Sequence, residues 1–157
     1  MELVRRAGEQ DIPGIMALLL QVDLVHHRIR PDLFKGPAAK YTNRELSQII
    51  SDDQRPVFVC TDESGRVLGH CFCIFRQHAD HPILTDVKTL YIDDLCVDEN
   101  HRGRHIGTLL YERAVSFARE TGCYNVTLNV WTKNQSALAF YQSMGLEAQK
   151  FVMEKIL

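Results

Sequence analysis

Between Tyr91 and Thr108 the chain reads Tyr-Ile-Asp-Asp-Leu-Cys-Val-Asp-Glu-Asn-His-Arg-Gly-Arg-His-Ile-Gly-Thr, the pattern of an apolar strand, a short polar turn and the opening of a helix. A strand that turns straight into a helix must return to its own sheet by a right-handed crossover, so this stretch fixes much of the topology around it. The turn from Arg102 to Gly107 holds two glycines and two arginines just ahead of the apolar positions Ile106, Leu109 and Leu110. Its backbone N–H groups point out of a helix start, a place for an anion, above all a phosphate. The segment lacks the Gly-Lys-Ser/Thr ending of a nucleoside triphosphate loop and the Gly-x-Gly-x-x-Gly of a dinucleotide fold.

The remaining elements follow from periodicity and turn chemistry. Glu2 to Arg6 reads as a short strand, after which Asp11 caps a helix with Pro13 in its first turn and Ile12, Ile15, Met16, Leu19 and Leu20 on its core face. That helix fades near His26. Prolines and a glycine forbid a continuous helix from His26 to Tyr41, making this link a candidate wall of a binding cleft, and Asn43 to Ile50 is a short second helix. Val57 to Cys60 and Val67 to Phe75 form a hairpin around Glu63-Ser-Gly65. A polar loop, Gln77 to Asp86, leads to the long strand Thr89 to Val97. After the phosphate turn a helix runs to Gly122, a left-handed cap, then come strand Val126 to Trp131, a helix capped by Asn134 and closed by Gly145, and a final strand Gln149 to Ile156. The order β-α-α-β-β-β-α-β-α-β describes an α/β domain spanning residues 1–157, a mixed sheet with helices on both faces.

Composition narrows the function classes. At 157 residues with 45% hydrophobic and 24% charged side chains, the chain has enough apolar material for one soluble core. A net charge of -2 argues against a nucleic-acid partner, which needs a basic surface. No apolar run is long enough to cross a membrane, and the expected location is cytoplasmic. The odd set Cys60, Cys71, Cys73, Cys96 and Cys123, mostly in apolar runs, reads as buried thiols rather than a disulfide framework. His78, Asp80 and His81 share a loop with no helix to fix them, which does not make a metal site, and the metal expectation is none.

The Arg102-x-x-x-x-Gly107 pattern closely resembles the acetyl-CoA pyrophosphate loop of the GCN5-related N-acetyltransferase (GNAT) family, Gln/Arg-x-x-Gly-x-Gly/Ala. His105 stands where that pattern has its first glycine, so its side chain must point away from the pyrophosphate or the loop must shift. A second segment, Asn129-Val-Trp-Thr-Lys-Asn134-Gln-Ser-Ala137-Leu-Ala-Phe140-Tyr141 followed by Gly145-Leu146, resembles the family's last helix. There an asparagine opens the helix beside the cofactor and a tyrosine seven residues on faces the thioester sulfur. Asn134 and Tyr141 lie two turns apart and share a face. The resemblance covers nearly the whole chain and implies the acyl-CoA N-acyltransferase fold. Many members carry two strands after the last helix, whereas here twelve residues follow Gly145. The sheet therefore ends early or borrows a neighbour from a second subunit, which implies a homodimer.

What the resemblance implies chemically is direct transfer of an acetyl group from acetyl-CoA to a primary amine of a small-molecule or peptide acceptor. Backbone groups of Leu95, Cys96 and Val97 would pair with the pantetheine arm. The N–H groups of Arg102, Gly103, Arg104, His105, Ile106, Gly107 and Thr108 would hold the pyrophosphate, with Asn134 and Tyr141 completing the cofactor site. Tyr141 is the candidate acid for the departing thiolate. Simple alternation puts Tyr91, Asp93, Leu95 and Val97 on one strand face and Ile92, Asp94 and Cys96 on the other. Family members that use a base place it at positions matching Tyr91 or Asp93, so Asp93 is the candidate, directly or through a water; an amine that arrives neutral needs no base. The loops carrying His26, His27, His78 and His81 flank the expected acceptor cleft. A CoA-binding sensor without turnover is the alternative on the same fold.

Overall fold

A computed structural model describes residues 1–157, arranged around a single five-stranded sheet. The strands are β1 (Leu3–Arg6), β2 (Val57–Thr61), β3 (Val67–Gln77), β4 (Lys88–Val97) and β5 (Asn125–Leu128), side by side in chain order. The first three pairings are antiparallel and β4–β5 is parallel, so the only crossover is the one through the phosphate turn. The helices are α1 (Ile12–Ile29), α2 (Asn43–Ile50), α3 (Ile106–Glu120) and α4 (Gln135–Ser143). The mixed sheet between helical layers is therefore as the sequence patterning predicts.

Two apolar clusters, one per sheet face, hold the layers together. On one face Ile15, Leu18 and Leu19 of α1 and Leu46 and Ile49 of α2 pack on Val57, Val59 and Phe72. On the other, Ile106, Leu110, Ala114 and Ala118 of α3 pack on Phe58, Leu68, Cys71, Leu90 and Ile92. Each large side chain buried here contributes about 1.5–3 kcal/mol. The small residues Ala114 and Ala118 let α3 lie close to the sheet, and Gly69 lets it lie closer still. A Cβ built at Gly69 would stand 2.9 Å from the Cys96 carbonyl oxygen and from Leu110 Cδ1.

Helix ends follow local chemistry. Thr42 and Glu45 form a reciprocal capping box at α2, the Thr42 Oγ1 accepting from the Glu45 N–H and the Glu45 carboxylate from the Thr42 N–H. Gly122 ends α3 with φ +74°, where Cys123 N–H donates to the Ala118 carbonyl, as expected of a left-handed cap. Four of the five cysteines are buried and none is bridged.

Three expectations are corrected. Helix α1 runs on through His26 to Ile29, its last turn carrying Arg28, a cation that suits a helix C-terminus. Asp11 does not cap α1 with its side chain. Its buried carboxylate accepts two hydrogen bonds from the Arg5 guanidinium, at 2.7 and 2.9 Å, and one from the Gly8 N–H at 2.8 Å, fastening β1 to the start of α1. Nor do Gln149 to Ile156 form a strand: the segment is extended in sequence pattern but meets no sheet edge within its own chain, and strand-prone residues make a strand only where an edge receives them.

Burial opposes ionisation of Asp11, but the Arg5 and Gly8 donors outweigh it and hold the pKa below the ordinary carboxylate value. A depressed folded pKa means the stabilisation is complete above the unfolded value of about 3.9 and drains away as pH falls through the lower folded value. Asp11→Ala, which strands Arg5, should cost about 3 kcal/mol in urea unfolding at pH 7, and the difference from the parent should shrink below pH 4. Gly69→Ala should cost about 1–3 kcal/mol in the same assay, because backbone and α3 must both give way.

Candidate active site

The phosphate turn is anchored by Asp98, buried at the end of β4. Its carboxylate accepts from Asn100 N–H (3.2 Å), Arg66 Nη2 (3.1 Å) and Gln21 Nε2 (3.4 Å), and His101 Nδ1 lies 3.0 Å away. The chain then passes through Gly103 at φ +76° and His105 at φ +61° before α3 begins at Ile106. Left-handed backbone explains why the related pattern has glycine at the position of His105, and holding a histidine there costs about 1–2 kcal/mol. His105 keeps its side chain exposed, pointing the imidazole outward. None of the N–H groups from Arg102 through Thr108 donates to a protein acceptor; the first bond of α3 is Leu109 N–H to the His105 carbonyl. Unpaired donors at the positive end of a fifteen-residue helix fit a pyrophosphate. The Arg104 guanidinium is taken by Glu2 at 2.7 Å, whereas exposed Arg102 has no carboxylate partner. A Cβ at Gly107 would meet Phe140 and Val97 only at 3.5 Å or more, so protein packing leaves that position open.

Upstream of the turn the sheet divides. β4 pairs with β5 from Thr89 to Ile92 and then continues alone to Val97. Asp98 N–H donates to the Leu68 carbonyl, and antiparallel alternation from there directs the backbone groups of Cys96 toward β3 and those of Leu95 and Val97 into the open fork. Leu95 and Val97 thus offer a free strand edge to an extended ligand, and Cys96 does not. The Cys96 thiol is buried against the Leu18 carbonyl, and burial followed by the charge of Asp94 pushes its pKa up to about 12. Asn129 Nδ2 donates to the Tyr91 hydroxyl at 3.2 Å, bridging the strands where they part.

A β-bulge changes the faces read from simple alternation. Phe72 lies opposite Asp94 and Cys73 opposite Ile92, leaving Asp93 as an extra residue. Beyond it every side chain reverses sides, so Asp93 and Asp94 both face α1 and α2, together with Tyr91 and Cys96, while Leu95 and Val97 join the α3 face. Each carboxylate has one charged or polar partner. Lys40, from the link between α1 and α2, donates to Asp93 Oδ2 at 2.8 Å, and despite partial burial that bond holds the lysine pKa above its ordinary value. Asp94 Oδ2 lies 2.6 Å from Nε2 of His70, which is fully buried on β3. An ionised Asp94 can only accept, so Nε2 carries the proton, and His70 Nδ1 is left buried with no partner. Lys40 and His70 were not singled out from the sequence. His70 had a readable signal, a lone polar residue within the apolar run of β3.

Tyr141 projects from α4 with a hydroxyl that bonds no protein group. Burial first, then the neighbouring Cys71 and Asp94, raises its pKa above the ordinary tyrosine value, keeping it a phenol at neutral pH. Asn134 caps α4 through Oδ1, 3.3 Å from the Ala137 N–H, with its Nδ2 unengaged. Elsewhere, Phe34 stacks edge-on to Trp131 at 5.6 Å and lies 5.0 Å from the His26 ring, while His27 Nδ1 is 2.8 Å from the Phe34 carbonyl. In the β3–β4 loop His81 Nδ1 accepts from the Ile83 and Leu84 N–H groups. Two surface concavities, one beside Tyr41 and Arg55 and one beside Gln21 and Arg66, are lined by none of the residues of the fork.

Residues 23–146 match the Acetyltransferase (GNAT) family. The chain is 42% identical over 145 residues to the N-alpha-acetyltransferase MAK3 of Arabidopsis thaliana, covering 92% of this chain and 65% of that protein. It is 28% identical over 115 residues to the uncharacterized N-acetyltransferase MJ1207 of Methanocaldococcus jannaschii, covering 72% of this chain and 48% of the relative. The chain thus spans about half the length of the Methanocaldococcus relative. A mutant of the BH1408 protein from Bacillus halodurans superposes with a TM-score of 0.94 at 31% identity, over 99% of both chains. With the phosphate turn, the divided sheet and the matched residues in agreement, the chain belongs to the acetyltransferase (GNAT) family.

Proposed function

We propose that this chain transfers the acetyl group of acetyl-CoA directly to a primary amine that approaches from the α1–α2 face. The observation that carries the reading is the continuity of unpaired groups: free N–H donors from Arg102 to Thr108 lead into the free edge at Val97 and Leu95, which ends beside Asp93 and Asp94. A phosphate-bearing extended ligand fits that line, with charge neutralised at the helix end and hydrogen bonds along the strand. Arg102 adds charge at the phosphate end, and Asn134 Nδ2 is a further donor at the start of α4.

Acetyl-CoA, when bound, supplies the acyl group as an activated thioester. Tyr141 holds a proton for the departing thiolate; its raised pKa keeps that proton in place when the site is ready to react. The amine reaches the site as a cation and must lose its proton before it can attack. Asp93 and Asp94 attract that cation, and Asp93 takes the proton directly or through a water once Lys40 yields its place. Asp94 is held in orientation by His70, a positioning role. The two carboxylates favour a cationic, unacylated amine over a neutral or anionic acceptor.

Titration calorimetry with acetyl-CoA, followed by free-thiol release across amines, tests the reading as a whole. Binding with thiol release on an amine class supports it, binding without release on any amine points to a CoA sensor, and no binding removes the assignment. Tyr141→Phe should lower kcat by about one to three decades with acetyl-CoA affinity little changed, and unchanged turnover would take Tyr141 out of the acid role. In the parent enzyme, kcat should show no alkaline fall traceable to Tyr141 below about pH 10, the ordinary tyrosine value. Gly107→Glu should abolish cofactor binding, since its bulk and charge enter an opening that protein atoms leave free; normal binding in that variant would move the phosphate site elsewhere.

A further inference from the structure

The chain has six lysines, and Lys40 is the one that an ion pair holds to a carboxylate. Its Nζ stands 2.8 Å from Asp93 Oδ2, where an incoming amine would meet that carboxylate on the proposed function. The short stretch that carries it is fastened on both sides. Ala38 N–H donates to the Asp23 carboxylate of α1 at 3.2 Å, and the Tyr41 ring stacks on Phe72 at 6.0 Å, just ahead of the Thr42 cap of α2. Lys40 Nζ also lies 5.3 Å from the centre of that tyrosine ring, a second attraction on the ammonium. The lysine side chain is 47% exposed, so it is held in place without being sealed into the core.

The other groups that acyl transfer calls on gather at the same place. Asp94 follows Asp93 at the bulge, and its charge acts on the Lys40 ammonium and on the Tyr141 phenol alike. The free strand edge at Leu95 and Val97 ends beside the two carboxylates. A thioester whose arm ran along that edge would bring its carbonyl carbon to a primary amine that belongs to the chain itself. Neutralising Asp93 needs only a cation, which an arginine would supply as well. Here the cation is a primary amine, with a carboxylate to receive its proton and a phenol to protonate the leaving sulfur.

We infer that Lys40 is a self-acetylation site, its Nζ taking the acetyl group of acetyl-CoA once per chain when no external amine is present. The inference rests on the acetyltransferase reading and adds to it a named acceptor. Asp93 takes a proton from the ammonium, the freed lone pair forms the N–C bond to the thioester carbonyl carbon, and the C–S bond breaks. Tyr141 protonates the departing thiolate and recovers a proton from the nitrogen as it becomes an amide. The products are acetylated Lys40, the CoA thiol and one proton. Tethering the amine beside its proton acceptor replaces a bimolecular encounter with a step inside one molecule. The amide carries no charge and keeps no ion pair with Asp93, so the transfer stops after one event and leaves that carboxylate open to an external amine.

The test is incubation of the purified protein with acetyl-CoA labelled in its acetyl group and no added amine, followed by peptide mass spectrometry. Lys40 should gain the label about tenfold or more faster than Lys35, an exposed lysine on the same link, at a rate independent of protein concentration. Acetyl already on Lys40 in the protein as purified, and missing from Asp93→Asn prepared alike, supports the inference equally. Labelling of Lys40 no faster than of Lys35 overturns it, as does a rate proportional to protein concentration. Asp93→Asn separates transfer from simple chemical acetylation. If Asp93 only holds the ammonium, its loss makes Lys40 easier to deprotonate and labelling rises, which overturns the inference; if Asp93 receives the proton, labelling falls about tenfold or more. Calorimetric binding of acetyl-CoA and thiol release on an added amine are read on the same preparation. Binding and release with Lys40 unmodified overturn this inference and leave the enzymatic reading standing, whereas no binding removes both.

Discussion

The parting of β4 from β5 after Ile92 is the constraint on which the rest depends. A parallel pair held together along its length would offer no free backbone between its strands. Here the pairing stops after four residues while β4 runs on for five more, so one strand presents its edge inside a sheet. The bulge at Asp93 falls at the same point. It bends β4 and brings two adjacent carboxylates to one face, an arrangement an unbroken strand cannot make. α3, held close to the sheet through Gly69, then brings its unpaired first turn to the end of that edge. Strand edge, helix end and carboxylates are thus three results of one departure from regular pairing.

Much of this was legible because it is encoded over a few neighbouring residues. The strand, turn and helix around Arg102, the helix Asn43–Ile50 and the left-handed cap at Gly122 need only local periodicity and the conformational freedom of glycine. What was not legible depends on partners distant in sequence. Asp11 has the side chain of a helix cap, but an arginine six residues back on an adjoining strand competes for it and offers two parallel bonds between opposite charges in place of a single bond to a backbone N–H. The faces of Asp93 and Asp94 depend on Phe72, twenty-odd residues earlier, because a bulge exists only relative to the opposite strand. His70 becomes a partner of Asp94 only once β3 and β4 are in register. The segment after Gly145 has the composition of a strand, and nothing in that composition says which edge will take it.

The turn from Arg102 to Gly107 illustrates how a tolerated strain is held. His105 sits in a conformation that favours glycine, and the docking of Ile106 and Leu110 immediately behind it offsets the cost. Because its imidazole projects to solvent, a histidine there stiffens the turn relative to glycine without filling the space before the free N–H groups.

On the proposed function, the Lys40–Asp93 ion pair bears on acceptor choice. The chain already keeps one primary ammonium against the carboxylate that the incoming amine would reach in that reading. Binding there is an exchange of one cation for another, with little net gain in electrostatic energy, so attraction to the carboxylate alone cannot make any acceptor bind tightly. In that reading selectivity would come from the rest of the acceptor molecule, through the aromatic wall of Phe34 and Trp131 and the link that carries Lys40. A resident competitor of this kind would filter out simple amines and admit those whose remaining surface has something further to hold.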